Sequence, residues 1–401
     1  MRSPTPFGWV ALGVLLLQAP AWAEAPTLSP DEAVALALSA HPDIQAADAA
    51  VSIAQADRRA SAVLLSNPSV SAWSTPDATR AELGISQPLS LTGEGWHARR
   101  GARASRDAAG LTLQRRRREV AAQTRLAYID AVVATGMVQV ASEGSDLAGR
   151  LSYAFRRKHE EGEAATLDLR LARLAEVQAA TRLLDARRTE AEALRTLASW
   201  IGSPVDAEAL DADPTNATPA PSESVGARSD VQAAESAVAR AEADLRRARA
   251  ASLPPVSLGA RLAVEDGQTF IGPSVALTLP LVDRNQRDRA VSSGRLAVTE
   301  GNLQQVRARA QTERTTADQR VSEAVETTER VQADIEEARA ALASIEAGVL
   351  AGQIDLSTAV LLQTQVLDGE AAVVRLRGLL ADARIDQMLA NDDDALLGGA
   401  P

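Results

Sequence analysis

Two long stretches without proline constrain this fold more than any other feature of the sequence. The chain has 18 prolines, but none lies within residues 89–203 or 281–400. Proline interrupts helices, and both stretches are rich in the helix formers Ala, Leu, Arg, Glu and Gln. We therefore expect one helix over about residues 97–158 and another over about residues 286–349. At about 1.5 Å per residue, each would run for about 90 Å, which is too long for a compact domain.

One glycine in each stretch predicts where the chain turns back. Gly162 and Gly352 are each followed by a segment with several leucines. Glycine tolerates the left-handed conformation that ends a helix, so each stretch is expected to form a long antiparallel helical hairpin. Apolar residues at steps of four and three, as at Leu167, Leu171 and Leu174, indicate coiled-coil packing. From residue 366 two such rows run side by side, which predicts a helix packed between two others.

The segments before the long helices have the pattern of β-strands. Apolar residues alternate with small or polar ones over residues 70–73, 82–86, 256–265 and 271–279. Turn-forming residues lie at 75–77 and 266–267, so the four strands form two hairpins. Segments of about ten residues with one apolar and one polar face are typical of transmembrane β-strands. A two-sided soluble sheet is the alternative for any single strand.

The N-terminus has the features of a secretory signal. Arg2 precedes an apolar stretch over residues 7–17, and Ala21-Trp22-Ala23 supplies small residues where a signal peptidase cleaves. That apolar stretch is shorter than the roughly 20 residues of a membrane-spanning helix. The sequence therefore predicts a signal peptide over residues 1–23.

The remainder of the chain is an internal repeat. Residues 41–47 match residues 228–234, residues 87–89 match 279–281, and Gly162 matches Gly352, at offsets near 190. A near-constant offset indicates tandem duplication. The predicted organisation is a signal peptide (1–23), a first repeat (24–202), a linker (203–224), a second repeat (225–391) and a disordered tail (392–401), and each repeat contains a helix, a β-hairpin and a long helical hairpin.

Composition excludes several classes of function. The chain has no Cys, and a net charge of −11 provides no electrostatic footprint for nucleic acid. The three His lie far apart in sequence and lack metal-ligand spacing. There is no phosphate-binding loop and no nucleophile–base–acid arrangement. The sequence therefore predicts no enzyme, no cofactor and no resident metal.

Four strands are too few to form a closed barrel. Open sheet edges are not tolerated in lipid, and the smallest bacterial barrels have about eight strands. A single chain therefore cannot make a pore, whereas three chains would supply twelve strands. The predicted fold is mainly α with short β-strands: antiparallel helical hairpins form an α-barrel, and four transmembrane strands per chain complete a 12-stranded barrel in a homotrimer.

The ordered motifs resemble those of the TolC-like outer-membrane efflux proteins, over residues 28–390. They comprise Leu28-Ser29-Pro30-Asp31-Glu32-Ala33-Val34-Ala35-Leu36-Ala37-Leu38 with His41-Pro42-Asp43, then Gln87-Pro88-Leu89, and the turns at Gly162 and Gly352. The resemblance implies a trimeric conduit in the outer membrane that extends into the periplasm. It also implies a periplasmic adaptor and an inner-membrane pump, of the resistance-nodulation-division type, that delivers the cargo.

A narrower resemblance concerns the cargo. Residues 280–286 read Pro-Leu-Val-Asp-Arg-Asn-Gln and are similar to the Pro-Leu-Phe-Asp-Arg-Asn-Gln-Gly segment of the cobalt–zinc–cadmium (CzcC-like) branch. Here Val282 replaces Phe and Arg287 replaces Gly. This resemblance implies heavy-metal cations as the cargo.

Two acidic residues are candidates for a channel gate. Asp168 lies six residues after Gly162, and Asp355 lies three residues after Gly352. In a trimer, a carboxylate near the periplasmic mouth would form a ring that favours cations. The alternative is an exposed charge at a helix start, where the helix dipole favours an acid.

Other candidates lie at the turns and on the strands. Gly162, Glu163, Gly352 and Gln353 are predicted to contact the adaptor, although each Gly also simply permits its turn. On the third strand, Arg261 and Glu265 would line the pore or pair across strands.

Clusters of arginine follow the strands. Arg99, Arg100, Arg103 and Arg106 follow the first hairpin, and Arg284, Arg287 and Arg289 follow the second. They could meet lipid phosphates, but a solvated helix face is the favoured interpretation, as it is for residues 115–118.

A soluble periplasmic coiled-coil adaptor or spacer is the alternative function. Such a protein shares the signal peptide and the long hairpins. It does not account for alternating strands at matching positions in both repeats.

Overall fold

The computed structural model describes residues 28–61, 67–76, 80–89, 92–211, 213–221, 227–265, 267–277, 279, 283–350, 353 and 356–398. The predicted signal peptide, residues 1–23, lies outside them. The described helices are α1 (Pro30–Ala40), α2 (Pro42–Ser61), α3 (Glu94–Glu160), α4 (Thr166–Ile201), α5 (Ser229–Ala250), α6 (Gln286–Leu350) and α7 (Leu356–Asn391). The strands are β1 (Ser69–Ser74), β2 (Arg80–Leu89), β3 (Val256–Glu265) and β4 (Gln268–Leu277).

The two long helices are confirmed. Helix α3 has 67 residues and α6 has 65, so each extends for about 100 Å. They start a few residues beyond the two β-hairpins and return as α4 and α7, with 36 residues each. No helix in the described parts of the chain combines the length and the apolar character needed to span a membrane.

Helix α7 packs between two helices, as its two apolar rows predict. On one side it contacts α3, where Leu367 and Val374 fill the spaces left by Gly144 and Gly136. On its other side Ile335 of α6 lies directly over Gly369 of α7. Because a side chain at any of these glycines would collide with its neighbour, small residues set the close spacing of the helices.

The four strands form one antiparallel sheet in the order β1-β2-β3-β4. Each hairpin pairs internally, and β2 of the first repeat pairs with β3 of the second, from Arg80 opposite Glu265 to Leu89 opposite Val256. The sheet is therefore the place where the two repeats join. Strands β1 and β4 are its edges, and the described chain adds no further strand beside them.

The main apolar core lies where α1, α3, α4 and α7 meet. Tyr128 and Ile129 of α3, Leu197 of α4 and Ile385 of α7 are fully buried there. The predicted linker packs against this core, because Ala217 is also fully buried and its carbonyl accepts a hydrogen bond of 2.9 Å from Arg125. The connection between the repeats is thus part of the core.

The C-terminal residues are ordered through Gly398, so the prediction of disorder from residue 392 is wrong for that segment. Asp392 accepts hydrogen bonds from Arg118 (3.0 Å) and from the backbone N–H of Ser229 (2.8 Å). Leu396 is fully buried. The segment therefore fastens the end of α7 to α3 and to the start of α5.

The same contacts overturn the interpretation of a solvated face for Arg115 and Arg118, whereas Arg116 is exposed as predicted. Arg118 is 9% exposed and forms ion pairs with Asp392 (3.0 Å) and Asp394 (2.5 Å). Arg115 pairs with Asp392 at 3.2 Å. Buried guanidinium groups require such partners, and these partners lie more than 270 residues away in sequence.

Candidate functional site

The candidate residues lie at opposite ends of the long helices. Helix α3 begins five residues after the end of β2 and runs for 67 residues to the turn at Gly162. At about 1.5 Å per residue, the sheet and the helix tip are separated by about 100 Å. The candidate site is therefore two surfaces, the sheet and the tip, joined by a rigid helical wall.

The first helix tip has the predicted glycine turn. Gly162 has φ 78°, the left-handed conformation. Its N–H donates to the carbonyl of His159 (3.1 Å), and the N–H of Glu163 donates to that of Lys158 (2.7 Å). Both Gly162 and Glu163 are exposed, which suits the predicted contact with an adaptor.

The structure describes the second tip only in part. Gly352 and Asp355 lie outside the described residues. Gln353 is exposed, and its N–H donates to the carbonyl of Gly348 at 2.8 Å.

Asp168 lies in the first turn of α4 and is partly exposed. A carboxylate at this position stabilises the helix N-terminus. No ion pair is formed with Asp168 by the side chains that the structure describes, so its charge is available to solvent. Its role as a gate remains a prediction.

An apolar cluster that the sequence analysis missed lies just above the first tip. Leu151 and Phe155 of α3 are buried against Ala172 of α4 and Ala359 of α7. The cluster joins both hairpins next to the predicted gate. Its four members lie on three different helices, so no local pattern in the sequence connects them.

The sheet has one apolar face and one mainly polar face, on which the exposed aromatic side chains of Trp73 and Phe270 also lie. The residue pairs alternate across all four strands, so that Val70, Ile85, Ala260 and Pro273 share one row, and the next row holds Ser71, Gly84, Arg261 and Gly272. The apolar face is exposed in the chain. Its most exposed members are Ile271 (79%), Val275 (71%), Val70 (68%), Leu277 (55%), Ile85 (51%) and Leu83 (50%).

The polar face has two ion pairs between β2 and β3. Arg261 pairs with Glu82 at 2.7 Å, and Glu265 pairs with Arg80 at 2.5 Å. The predicted pore-lining residues therefore pair across strands, which was the alternative interpretation. The two roles are compatible, because all four side chains lie on the polar face and remain partly exposed.

Helix α4 has an exposed apolar row. Leu167 (65%), Leu171 (37%) and Leu174 (53%), which predict coiled-coil packing, point away from the chain. At this end of the helix, α4 instead faces the rest of the chain through buried Leu169 and Ala172. The row is therefore a packing surface without a partner among the described residues.

Asp382 lies on α7, with Asp130 of α3 nearby. Burial, together with the charges of Asp130 and Asp386, raises the pKa of Asp382 to about 7. Its Oδ1 atom is buried and has no hydrogen-bond partner among the described residues. Within the described ranges, no group of His, Cys, Asp and Glu is arranged to hold a metal ion.

We expect Asp382→Asn to stabilise the protein more at pH 8 than at pH 5. A carboxyl group whose folded pKa exceeds its unfolded value stabilises the fold fully below about pH 4, and it loses that contribution progressively as the pH rises from about 4 to about 7. The gain in the variant should be about 2–3 kcal/mol larger at pH 8 than at pH 5, because about two pH units separate pH 5 from the folded pKa. Thermal unfolding followed by circular dichroism at both pH values measures this, with exposed Asp185→Asn as the control. An equal effect of Asp382→Asn at both pH values would contradict it.

No family model matches the chain. It is 28% identical to the cobalt-zinc-cadmium resistance protein CzcC of Cupriavidus metallidurans over 207 residues, and the match spans about half the length of each protein. The outer-membrane channel OprN superposes with a TM-score of 0.75 at 18% identity, over 92% of this chain and 90% of that one. CusC superposes with a TM-score of 0.73 at 16% identity, over 93% and 95%.

The chain has the fold of the TolC-like outer-membrane efflux channels. The superpositions extend over more than nine tenths of the chain. The resemblance that the sequence motifs indicated is therefore confirmed. Within this TolC-like fold, the sheet corresponds to the predicted transmembrane strands and the tips to the predicted periplasmic ends.

Proposed function

We propose that three copies of this chain form an outer-membrane channel of a tripartite efflux system. The main support for this proposal is the exposed aliphatic face of the sheet, on which Ile271 and Val275 are more than 70% accessible. In water such a face would be costly, because burying each aliphatic side chain is worth about 2 kcal/mol. In lipid it is favoured, provided that the sheet edges find partners.

Three copies would pair the open edge strands of each sheet. Strands β1 and β4 have no neighbours on their outer sides within the described chain. Pairing β4 of one copy with β1 of the next would give a closed barrel of twelve strands, with the polar face and its Arg261–Glu82 pair inside. The exposed leucine row on α4 supports lateral contact between copies along the helical wall as well.

The channel would conduct passively. The chain offers a conduit about 100 Å long, with Asp168 near its periplasmic mouth. A periplasmic adaptor would bind the tips at Gly162, Glu163, Gly352 and Gln353, and an inner-membrane pump of the resistance-nodulation-division type would supply the energy. Heavy-metal cations are the proposed cargo, supported by the similarity to a cobalt-zinc-cadmium resistance protein.

A soluble adaptor or spacer is less consistent with the sheet. Such a protein would use the long hairpins, but it would leave the aliphatic face of four paired strands in water. Fractionation distinguishes the two: a channel requires detergent for extraction from outer membranes, and a soluble spacer does not.

We expect Asp168→Asn to reduce the cation preference of the reconstituted channel. Three carboxylates in a ring attract cations, so their removal should lower the cation-to-anion permeability ratio at least about twofold. Reversal potentials in planar bilayers under a salt gradient measure the ratio. Asp185→Asn, on the same helix, is the matched control. Unchanged opening and selectivity in Asp168→Asn would exclude Asp168 from the gate.

A further inference from the structure

Arginines gather where the long helices leave the sheet. Arg99, Arg100 and Arg103 lie in the first three turns of α3, and Arg287 and Arg289 lie in the first turn of α6. All except the partly exposed Arg99 are exposed. These five residues, which we term the junction arginines, are concentrated at one level of an otherwise acidic chain.

Contacts within the chain do not neutralise the junction arginines: Arg99 donates to the carbonyl of Gly95 (3.4 Å), and Arg100 lies over the ring of Trp96. None forms an ion pair with a carboxylate that the structure describes. The acid at the start of α3, Glu94, is instead bound by Arg247 of α5 at 3.2 Å. In α6 the helix dipole also disfavours Arg287 and Arg289, because the first turn of a helix carries a partial positive charge. An external anion would offset both effects.

An exposed tryptophan lies among them. Trp96, in the first turn of α3, is 55% exposed, and the guanidinium carbon of Arg100 lies 5.8 Å from the centre of its ring. Residues 96, 99, 100 and 103 lie on one face of α3. That face points away from Gly101, which packs against Ala243 of α5. Tryptophan is enriched where a protein crosses from lipid to water.

The height of this cluster matches a lipid headgroup layer. Strand β2 has ten residues, which span about 33 Å, or about 23 Å across a membrane at a typical tilt. Its end therefore lies near the edge of the hydrocarbon, and α3 starts five residues later. Because side chains of a helix tilt toward its N-terminus, the arginines of α3 reach back toward that edge.

We propose that the junction arginines and Trp96 form a binding surface for anionic phospholipid headgroups in the leaflet that faces the periplasm. Guanidinium groups bind phosphate oxygens in a bidentate manner, which suits this headgroup. The binding surface would fix the height of the channel in the membrane. This inference rests on the proposed function, because it requires the sheet to span a bilayer.

Lipid retention tests the proposal. The full-length protein is reconstituted in vesicles of mixed phosphatidylglycerol and phosphatidylcholine, extracted gently, and analysed by native mass spectrometry. We expect phosphatidylglycerol to be retained in preference. Replacing Arg99, Arg100 and Arg103 together by Gln should lower that preference about tenfold, since each arginine near an anionic surface contributes measurably. High salt should weaken it as well.

The matched control replaces three exposed arginines near the tip, Arg156, Arg170 and Arg173, by Gln. Arg156 also lies over an aromatic ring, that of Tyr153, at 5.2 Å. The control should keep the full preference. If the triple junction variant does not fold, Arg100→Gln and Arg103→Gln are measured singly, and each should lower the preference.

Conductance of the same vesicles separates the two proposals. If the wild-type protein conducts but retains both lipids equally, or if the junction variants lose no phosphatidylglycerol, the headgroup surface is wrong and the channel stands. If the wild-type protein neither inserts nor conducts, both proposals are wrong.

Discussion

Ile271→Arg is expected to abolish insertion into the outer membrane. Ile271 lies near the middle of β4 on its aliphatic face and is 79% exposed. A charged residue on the lipid face of a barrel costs about 2–4 kcal/mol near the middle of the bilayer. A trimer would contain three copies of the substitution, so the total cost would approach the whole stability of a typical protein. The measurement is the fraction of protein recovered in outer membranes, and the yield of refolding into vesicles.

The neighbouring residue supplies the control for this prediction. Gly272 lies next to Ile271 on the same strand, but on the polar face of the sheet opposite Arg261, where there is open space for a side chain. Gly272→Arg should insert far better than Ile271→Arg, because its charge would project into an aqueous lumen. If both variants insert equally well, the aliphatic face does not contact lipid and the proposed channel is wrong.

Most of the architecture follows from local patterns in the sequence. The absence of proline predicts the long helices to within a few residues, because any proline would break the hydrogen bonds of the helix. Alternation predicts all four strands, because successive side chains on a strand point to opposite faces. The bounds of two strands differ most from the prediction: β2 is Arg80–Leu89 rather than 82–86, and β4 is Gln268–Leu277 rather than 271–279.

Contacts between distant parts of the chain could not be predicted in this way. Arg118 and Asp392 form a buried pair at 3.0 Å, but 274 residues separate them. A charged run on a long helix normally indicates a solvated face, and a short acidic segment near Gly residues normally indicates disorder. Both predictions fail because the charged run of α3 and the acidic segment near the C-terminus pair with each other. Neither segment alone indicates that the other is its partner.

The coiled-coil rows also show that a sequence pattern does not identify the partner of a helix face. In α7 the rows predict two neighbouring helices, and α3 and α6 are both present in the chain. In α4 the row of Leu167, Leu171 and Leu174 predicts packing equally well, but the side chains are exposed. A heptad pattern shows that a helix face is buried in the functional state. It does not show whether the partner lies in the same chain.

Leu171→Glu combined with Leu174→Glu is therefore expected to prevent trimer assembly. If the leucine row is buried between copies, removing each leucine costs about 2 kcal/mol, and burial of the new carboxylates adds a larger penalty. The helices within one chain should remain folded, because α4 contacts α3 through Leu169 and Ala172 on its other side. Light scattering of the detergent-solubilised protein should report a monomer with unchanged helical circular dichroism.

The control is Arg173→Glu, which lies between the two leucines in sequence but on a different face of α4. It adds at least as much negative charge to the helix, so it tests whether charge alone disrupts assembly. We expect this variant to remain trimeric. A trimeric Leu171→Glu, Leu174→Glu protein would mean that the exposed row is not an interface. Loss of the trimer in both variants would mean that charge repulsion, rather than burial of the leucines, governs assembly. The interface between copies would then have to be sought on another helix.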